Sequence, residues 1–337
     1  MVRCNLLEYH PGHHSSVRSQ PLTRGLRAAL SEAMSKPLAP VSDFQPGFMS
    51  RFLSSLAWLL PPRFRADIPV VPVVRLSGVI GVSSPLRSGL MLETTAKTLE
   101  RAFSVRKARA VALVINSPGG SPSQSHLIFR RIRQLSEEKK IPVLAFIEDV
   151  GASGGYMLAC AADEIICDDY SIVGSIGVVG GSFGFDRLME KIGVERRLYT
   201  SGDSKAMLDP FLPEKPEDVK RIKAVQKDIH AHFIALVKAR RGARLNGTDK
   251  VLFSGEFWTA SNAIALGLAD HRGDIRSCLR ERYGDKVRMP LIAAEKSFFG
   301  RKVPGIGLLQ QVGDSPGLAA DLLSALEARA LWSRYGL

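Results

Sequence analysis

Cysteine is scarce in this 337-residue chain and never clustered. The four, Cys4, Cys160, Cys167 and Cys278, form no CxxC pair and stand beside no histidine at metal-ligand spacing. This argues against a disulfide framework and a zinc finger, and fits a reduced compartment. Cys160 and Cys167 lie in apolar sequence and read as small core residues. Long apolar runs are also missing: no stretch reaches the roughly 18 residues that a membrane-spanning helix needs. The best, Phe52 to Leu60 (FLSSLAWLL), is short and stops at Pro61-Pro62. With Arg51, Arg63 and Arg65 around it, it suits an anionic membrane surface or the face of a neighbouring subunit equally. The first residues show no signal-peptide pattern. Gly (30) and Pro (19) are near average use, which excludes collagen-like and low-complexity classes, and there is no internal repeat.

Acidic residues are the minority charge: 46 Lys+Arg against 33 Asp+Glu give a net +13. Such a balance raises nucleic acid or an anionic membrane as partners. The densest basic patch, Arg240, Arg241 and Arg244, falls at an expected helix end, where basic side chains suit the helix dipole. No zinc-finger spacing or RNA-binding aromatic signature accompanies the charge, so no nucleic acid is expected.

Apolar residues make up 45% of the chain, enough for a buried core. Residues 1–48 lack sustained periodicity, hold five prolines, and read as an irregular extension; Met49 offers an alternative start. Beyond about Ile68 the pattern changes. Val70–Ile80 (VVPVVRLSGVI), Val111–Ile115 (VALVI), Val143–Ile147 (VLAFI) and Glu164–Cys167 (EIIC) read as strands, with a further short strand at Arg196–Tyr199. Leu90–Phe103, Ser123–Lys139 (Leu127, Ile128, Ile132 and Leu135 inward), Gly154–Ala162, Arg187–Ile192 and Thr259–Leu266 read as helices. Glu217–Arg240 is expected to be a long amphipathic helix with Val219, Ile222, Val225, Ile229, Phe233 and Leu236 on one stripe and Pro216 at its start. Leu318–Leu331 is helix-prone. Strands alternating with helices imply an α/β fold with a mainly parallel sheet.

Three local patterns carry chemistry. Asn116-Ser117-Pro118-Gly119-Gly120 follows a strand and leads to a helix, a turn that leaves backbone N–H groups outward, able to receive developing negative charge on an oxygen. Gly151-Ala152-Ser153-Gly154-Gly155-Tyr156 exposes a serine hydroxyl at the start of a helix; it matches the letters G-x-S-x-G, but no HGGG-type motif or Asp-then-His order accompanies it. The alternative for Ser153 is an N-cap. Ser201-Gly202-Asp203-Ser204-Lys205, followed by Ala206, Met207 and Leu208, places a lysine amid small and apolar residues; the alternative is a solvated loop lysine. The seven histidines, His10, His13, His14, His126, His230, His232 and His271, offer no conventional triad, and only His126 is near a motif in sequence.

Together these residues resemble the signal peptide peptidase family, which includes the SppA and SohB-type serine peptidases. The resemblance runs from about Val70 to Asp270 and includes NSPGG, GASGGY, Val173–Val178 (VGSIGV), the SGxxK loop and Phe257–Asp270 (FWTASNAIALGLAD). It implies a ClpP/crotonase-type fold, a spiral of ββα units. It assigns Ser153 as nucleophile, Lys205 as general base, the Gly120 and Gly154 amides as oxyanion hole, and Ser175 as a residue that orients the lysine. It implies peptides as substrates, extended and apolar such as cleaved signal peptides, no cofactor or metal, and a homo-oligomer whose sites are shared between subunits. Residues 1–66 would then be an irregular extension with a short amphipathic segment, 67–275 the peptidase domain and 276–337 a C-terminal extension. The expected location is cytoplasmic or peripheral at the inner membrane.

A free lysine, with a pKa near 10.4, is charged at neutral pH; reaching about 7–8 takes a shift of roughly 3 units, or about 4 kcal/mol, which burial can supply. Met207, Leu208 and Phe211 would exclude water, while Asp203 and Asp209 would oppose the shift and are expected to point away. Two rivals remain at this level. A crotonase-type acyl-CoA enzyme shares the fold and a two-amide oxyanion hole but needs no serine nucleophile, and a non-catalytic assembly or membrane scaffold needs neither residue.

Overall fold

A strand covered on both faces needs apolar side chains at every position, and this is what VALVI and VLAFI supply. The computed structural model describes residues 68–82, 89–202, 204–293, 326 and 329–336. Among them seven strands form one sheet: β1 (Val73–Ser77), β2 (Val111–Ser117), β3 (Val143–Ala152), β4 (Glu164–Cys167), β5 (Ile172–Gly174), β6 (Phe257–Thr259) and β7 (His271–Arg272). The path runs β1-β2-β3-β4-β7, with β5 pairing β3 and β6. All pairings are parallel except β5 with β6. The mainly parallel α/β sheet expected from the alternation of strands and helices is present.

Alternate strand residues divide between two cores. Val74, Leu76, Leu113, Ile115, Ala145, Ile147 and Ile165 pack with α1 (Leu92–Phe103), α2 (Pro122–Lys139) and α3 (Gly154–Ala159). Val73, Ala112, Val114, Leu144, Phe146 and Ile166 face the other way. Leu279, from α8 (Ile275–Tyr283), and Val287 cover them. Backbone bonds from Val71 N to Arg288 O (2.8 Å) and Val73 N to Pro290 O (2.9 Å) tie this covering segment to β1. The packed body therefore continues well past residue 275.

Helix ends follow local chemistry. Ser121 caps α2, accepting from Gln124 N, with Pro122 in the first turn; Lys140 ends it in the left-handed region. Leu127 does not turn inward as expected but is 40% exposed, because Ile128, Ile132 and Leu135 already define the buried stripe. α4 (Asp186–Ile192) buries no residue. α5 (Pro216–Arg241) buries only Phe233, Val237 and Arg241. The expected stripe is thus covered only near the C-terminal end, and Val225 is 47% exposed. The short helix α6 (Asp249–Leu252) and α7 (Ala260–Ala265) complete the set. Arg196–Tyr199, expected as a strand, is irregular, since among the described residues no strand pairs with its backbone.

The dense basic patch is turned onto the protein itself. Arg240 donates to Cys160 O (2.8 Å) and Ala162 O (2.9 Å). Arg244 donates to Arg240 O (2.7 Å) and Asp163 O (3.1 Å). Arg241, only 3% exposed, forks onto Asp270 at 2.8 and 2.9 Å and donates to Gly267 O at 2.8 Å. Cys160 and Cys167 are buried, and burial pushes both thiols up to about 12, so they are inert core groups.

The chain divides between Ala66 and Asp67, and the first unit lies outside the described residues, together with the Phe52–Leu60 segment. Of the helix-prone tail, Leu326 and residues 329–333 are helical. Tyr335 beyond them packs with Val150, Ala152, Ile172 and Trp332. Its ring meets Phe257 edge-on at 5.2 Å. Among the described residues no helix is long and apolar enough to cross a membrane.

Arg241→Met should lower the unfolding free energy by about 3–5 kcal/mol in urea titration, because it removes the buried fork on Asp270 and leaves that carboxylate only Arg244 at 3.4 Å and the Ile165 amide. Asp270 adds a pH dependence. Burial opposes its ionisation, but hydrogen bonds from Arg241 and the Ile165 amide outweigh burial and hold its pKa below the usual range. Its contribution is therefore present above about pH 4 and lost as pH falls through the depressed value. Stability measured between pH 3 and 5 should decline less steeply in Asp270→Asn.

Candidate active site

The loop after β2 is shaped by two glycines with positive φ, Gly119 at 100° and Gly120 at 139°. Ile80 lies alongside it as a parallel bridge: Ile80 N donates to Gly119 O and Ser121 N to Ile80 O, both at 2.8 Å. A Cβ on Gly120 would stand 2.1 Å from Ile80 O, so only glycine fits this approach. Because the neighbours Gly119 and Ser121 use the Ile80 side, the Gly120 N–H faces the other way, and no described residue accepts from it. Buried Ser117 braces the turn, donating to Gly78 O (2.7 Å) and accepting from Gly119 N (3.2 Å).

β3 ends at Ala152, and Ser153 turns the chain into α3 with φ 52° and ψ −120°. A non-glycine residue there carries about 1–3 kcal/mol of strain and persists only where its surroundings fix it. Ser153 N donates to Gly174 O at 2.8 Å, and Ser153 O accepts from Met157 N at 3.0 Å. Ser153 occupies the N-cap position of α3, but its side chain caps no helix N–H. The next amide, Gly154 N–H, opens α3 and has no acceptor among the described residues. A Cβ on Gly119 would meet Gly154 N and Ser153 Cβ, each at 2.8 Å, so the glycine loop and the serine turn are in direct contact. Ser153, Gly120 and Gly154 are therefore gathered at one place.

Ser175 follows β5, buried, with φ 51°, its N–H donating to Glu256 O at 2.7 Å. It is one residue beyond the carbonyl that holds Ser153 N. The Trp258 ring closes on Gly174, where a Cβ would meet it at 2.6 Å. His230 Nε2 lies 3.1 Å from the carbonyl of Ile176, the next residue.

Lys205 is placed differently. It is exposed, in a turn where its N–H bonds Gly202 O at 3.2 Å, and no hydrogen bond joins it to Ser153 within the chain. The expected burial of this lysine is absent in the single chain. The reason is that the described part of residues 178–215 is little covered by the rest of the chain, with Val179, Phe183, Leu188, Ile192, Val194 and Tyr199 all more than half exposed. Asp209, expected to point away, is engaged by Arg196 at 2.9 Å, and Asp203 lies outside the described residues.

Histidine chemistry is not assembled at the serine. His126 is exposed and stacks on Phe129; burial first, then the Arg130 and His232 charges, lower its pKa. Among the described residues no group of three or more His, Cys, Asp or Glu is placed to hold a metal. Ile80, Ser117 and His230 are contributors that sequence reading missed. Ser117 was within a quoted motif, whereas pairing of Ile80 across 40 residues leaves no local signal.

Residues 136–286 match the model of peptidase family S49. A Synechocystis protein that carries a provisional protease name is 31% identical over 70% of this chain and 87% of its own length. A Brucella abortus protein named Na+/H+ antiporter NhaA is 53% identical over 87% of this chain. The chain spans only 39% of that relative's length. Among solved structures, a membrane-bound stomatin-specific protease in complex with a substrate peptide superposes with a TM-score of 0.42 at 17% identity, covering 68% of this chain and 94% of its own.

The strain at Ser153 can be measured as stability. Relief of about 1–3 kcal/mol outweighs the roughly 0.5–1 kcal/mol that glycine loses in chain entropy. Ser153→Gly should therefore unfold at higher denaturant than Ser153→Ala, by about 1 kcal/mol. Equal midpoints would show that the turn is relaxed.

Proposed function

The chain belongs to peptidase family S49, and from that premise we propose that it is a serine peptidase that cleaves extended apolar peptides through an acyl-enzyme with Ser153 as nucleophile and Lys205 of an adjacent copy as general base. The observation that carries this is the serine turn itself: a strained Ser153 with two unpaired amides, Gly120 N–H and Gly154 N–H, within the same cluster. Strain of this kind is maintained where it positions a reacting group.

In the proposed reaction, an uncharged Lys205 amine takes the Ser153 proton as the hydroxyl attacks a peptide carbonyl. The two amides donate hydrogen bonds to the oxyanion, each worth about 3–4 kcal/mol in comparable sites. The ammonium then protonates the leaving amine, and water releases the acyl group by the same route. Ser175, one residue past the clasp on Ser153, would orient the lysine. No step needs a metal or cofactor.

An exposed lysine is a poor base, since solvent favours its charged form. What supports a second copy is the company Lys205 keeps. The stretch 178–215 presents apolar side chains to solvent that the chain's own body leaves uncovered. Covering them would bury the lysine at the same time. Cleaved signal peptides fit the substrate class of the resemblance. The antiporter name of the Brucella relative is not carried over, because this chain spans 39% of that protein and its matched family is a peptidase. The crotonase-type rival predicts no covalent serine adduct, so fluorophosphonate labelling of Ser153, located by mass spectrometry, separates the two.

Lys205→Ala and Ser153→Ala should each abolish peptide cleavage with unchanged far-UV circular dichroism. Mixed after confirmed co-assembly, the two inactive variants should regain activity, up to roughly a quarter of wild type if each site pairs two copies at random. Recovery of none would place the serine and its base within one chain, and full turnover by Lys205→Ala would remove the lysine from the reaction.

A further inference from the structure

The turn that carries Lys205 also carries a carboxylate. Asp209 is four residues on, and the intervening bonds, Met207 N to Ser204 O and Asp209 N to Ala206 O, both at 3.4 Å, coil the segment tightly. A free carboxylate facing the amine from the same turn would hold it in its charged form, the opposite of what a general base needs. Yet Asp209 has its side chain 7% exposed and is clasped by Arg196: Nη2 lies 2.9 Å from Oδ2. Its Oδ1 accepts from Phe211 N at 3.0 Å. The same guanidinium lies 4.8 Å over the Phe211 ring, which stacks on Phe185 at 5.6 Å. Phe185 N in turn donates to Pro210 O at 2.6 Å. One arginine thus meets the acid and the aromatic that bracket Pro210.

We infer that Arg196 is a positioning residue for the general base: it fixes the 205–211 turn and neutralises Asp209 so that the Lys205 amine can lose its proton near neutral pH. This rests on Lys205 being the base. Asp203 lies outside the described residues, and the other described charged groups around the turn do not take over the task. Asp218, in the first turn of α5, accepts from Leu208 N at 3.3 Å and sits where helix amides favour its charge. Glu195 lines a groove together with Arg196, Phe185 and Phe211 but pairs with Arg197 at 3.1 Å. α4 contributes apolar Leu188, Met189 and Ile192 to that groove. Nothing among these replaces the Arg196 charge beside Asp209.

The test is a set of pH–rate profiles for peptide cleavage by the assembled protein, comparing wild type with Arg196→Gln, Arg196→Lys, Asp209→Asn and the double variant Arg196→Gln/Asp209→Asn. Lys205→Ala serves as reference, and sedimentation reports assembly. A freed Asp209 favours the ammonium, so activity should require higher pH. In Arg196→Gln the acid limb of kcat/KM should move up by about one pH unit, a roughly tenfold loss below the limb, with the high-pH plateau retained. Arg196→Lys, which keeps the charge, and the double variant, which removes both charges, should return the limb towards wild type. An Arg196→Gln profile that overlays wild type, or one lowered equally at every pH, would overturn the inference, as would loss of assembly that the double variant fails to restore. Cleavage that survives Lys205→Ala overturns the base assignment itself and the role of Arg196 with it. A dead Lys205→Ala beside an unshifted Arg196→Gln overturns only Arg196.

Discussion

Ser153 is held in a backbone conformation that it would not choose, and the fold around it is arranged to keep it there. Its N–H is committed to Gly174, so β5 must lie against β3. The glycine loop reaches it because β2 and β3 slip in register between Ile115 and Ser117, which brings Ser117 opposite Gly151. Ser117 then ties that loop to Gly78, and Ile80 closes on its far side. Release of any of these would let the serine relax by about 1–3 kcal/mol, and the two amides beside it would lose their common focus.

The strands were legible because burial on both faces writes itself as an unbroken apolar run, and β2, β3 and β4 contain the runs read from sequence. The helices α1 and α2 followed from spacing and from Ser121-Pro122. Arg196–Tyr199 failed as a strand because a short alternating run says nothing of whether a neighbouring edge exists. α5 was found almost residue for residue, yet its stripe misled. Periodicity reports which side chains want cover, not that the same chain supplies it. The tail gave no signal for Tyr335, a single aromatic whose partners Val150 and Phe257 are distant in sequence.

The same distinction divides the site. The turns that carry Ser153, Gly120 and Gly154, the residues of the proposed site, were readable because they depend on local backbone: a positive φ and the first residue of a helix. The environment of Lys205 was not readable, since it depends on what lies across an exposed surface. Asp209 shows the point from the other side. From sequence it was a threat to the lysine; its clasp by Arg196, thirteen residues earlier in an irregular stretch, appears only in three dimensions.

On the proposed assignment, catalysis and assembly become one event, and magnitudes show why that coupling is delicate. Six apolar side chains of the 178–215 stretch are more than half exposed. At about 1.5–3 kcal/mol each for full burial, covering their exposed halves gains on the order of 5–9 kcal/mol. Association itself costs an estimated 4–15 kcal/mol. The stretch alone therefore brings copies together only weakly, and further cover is needed, for which the uncovered part of the α5 stripe around Val225 is available. A serine site preformed in each chain, with its base on a segment that finds shelter only against a neighbour, keeps a lone copy inactive without any separate inhibitory element. The strain at Ser153 is borne by every copy; its use waits on the partner.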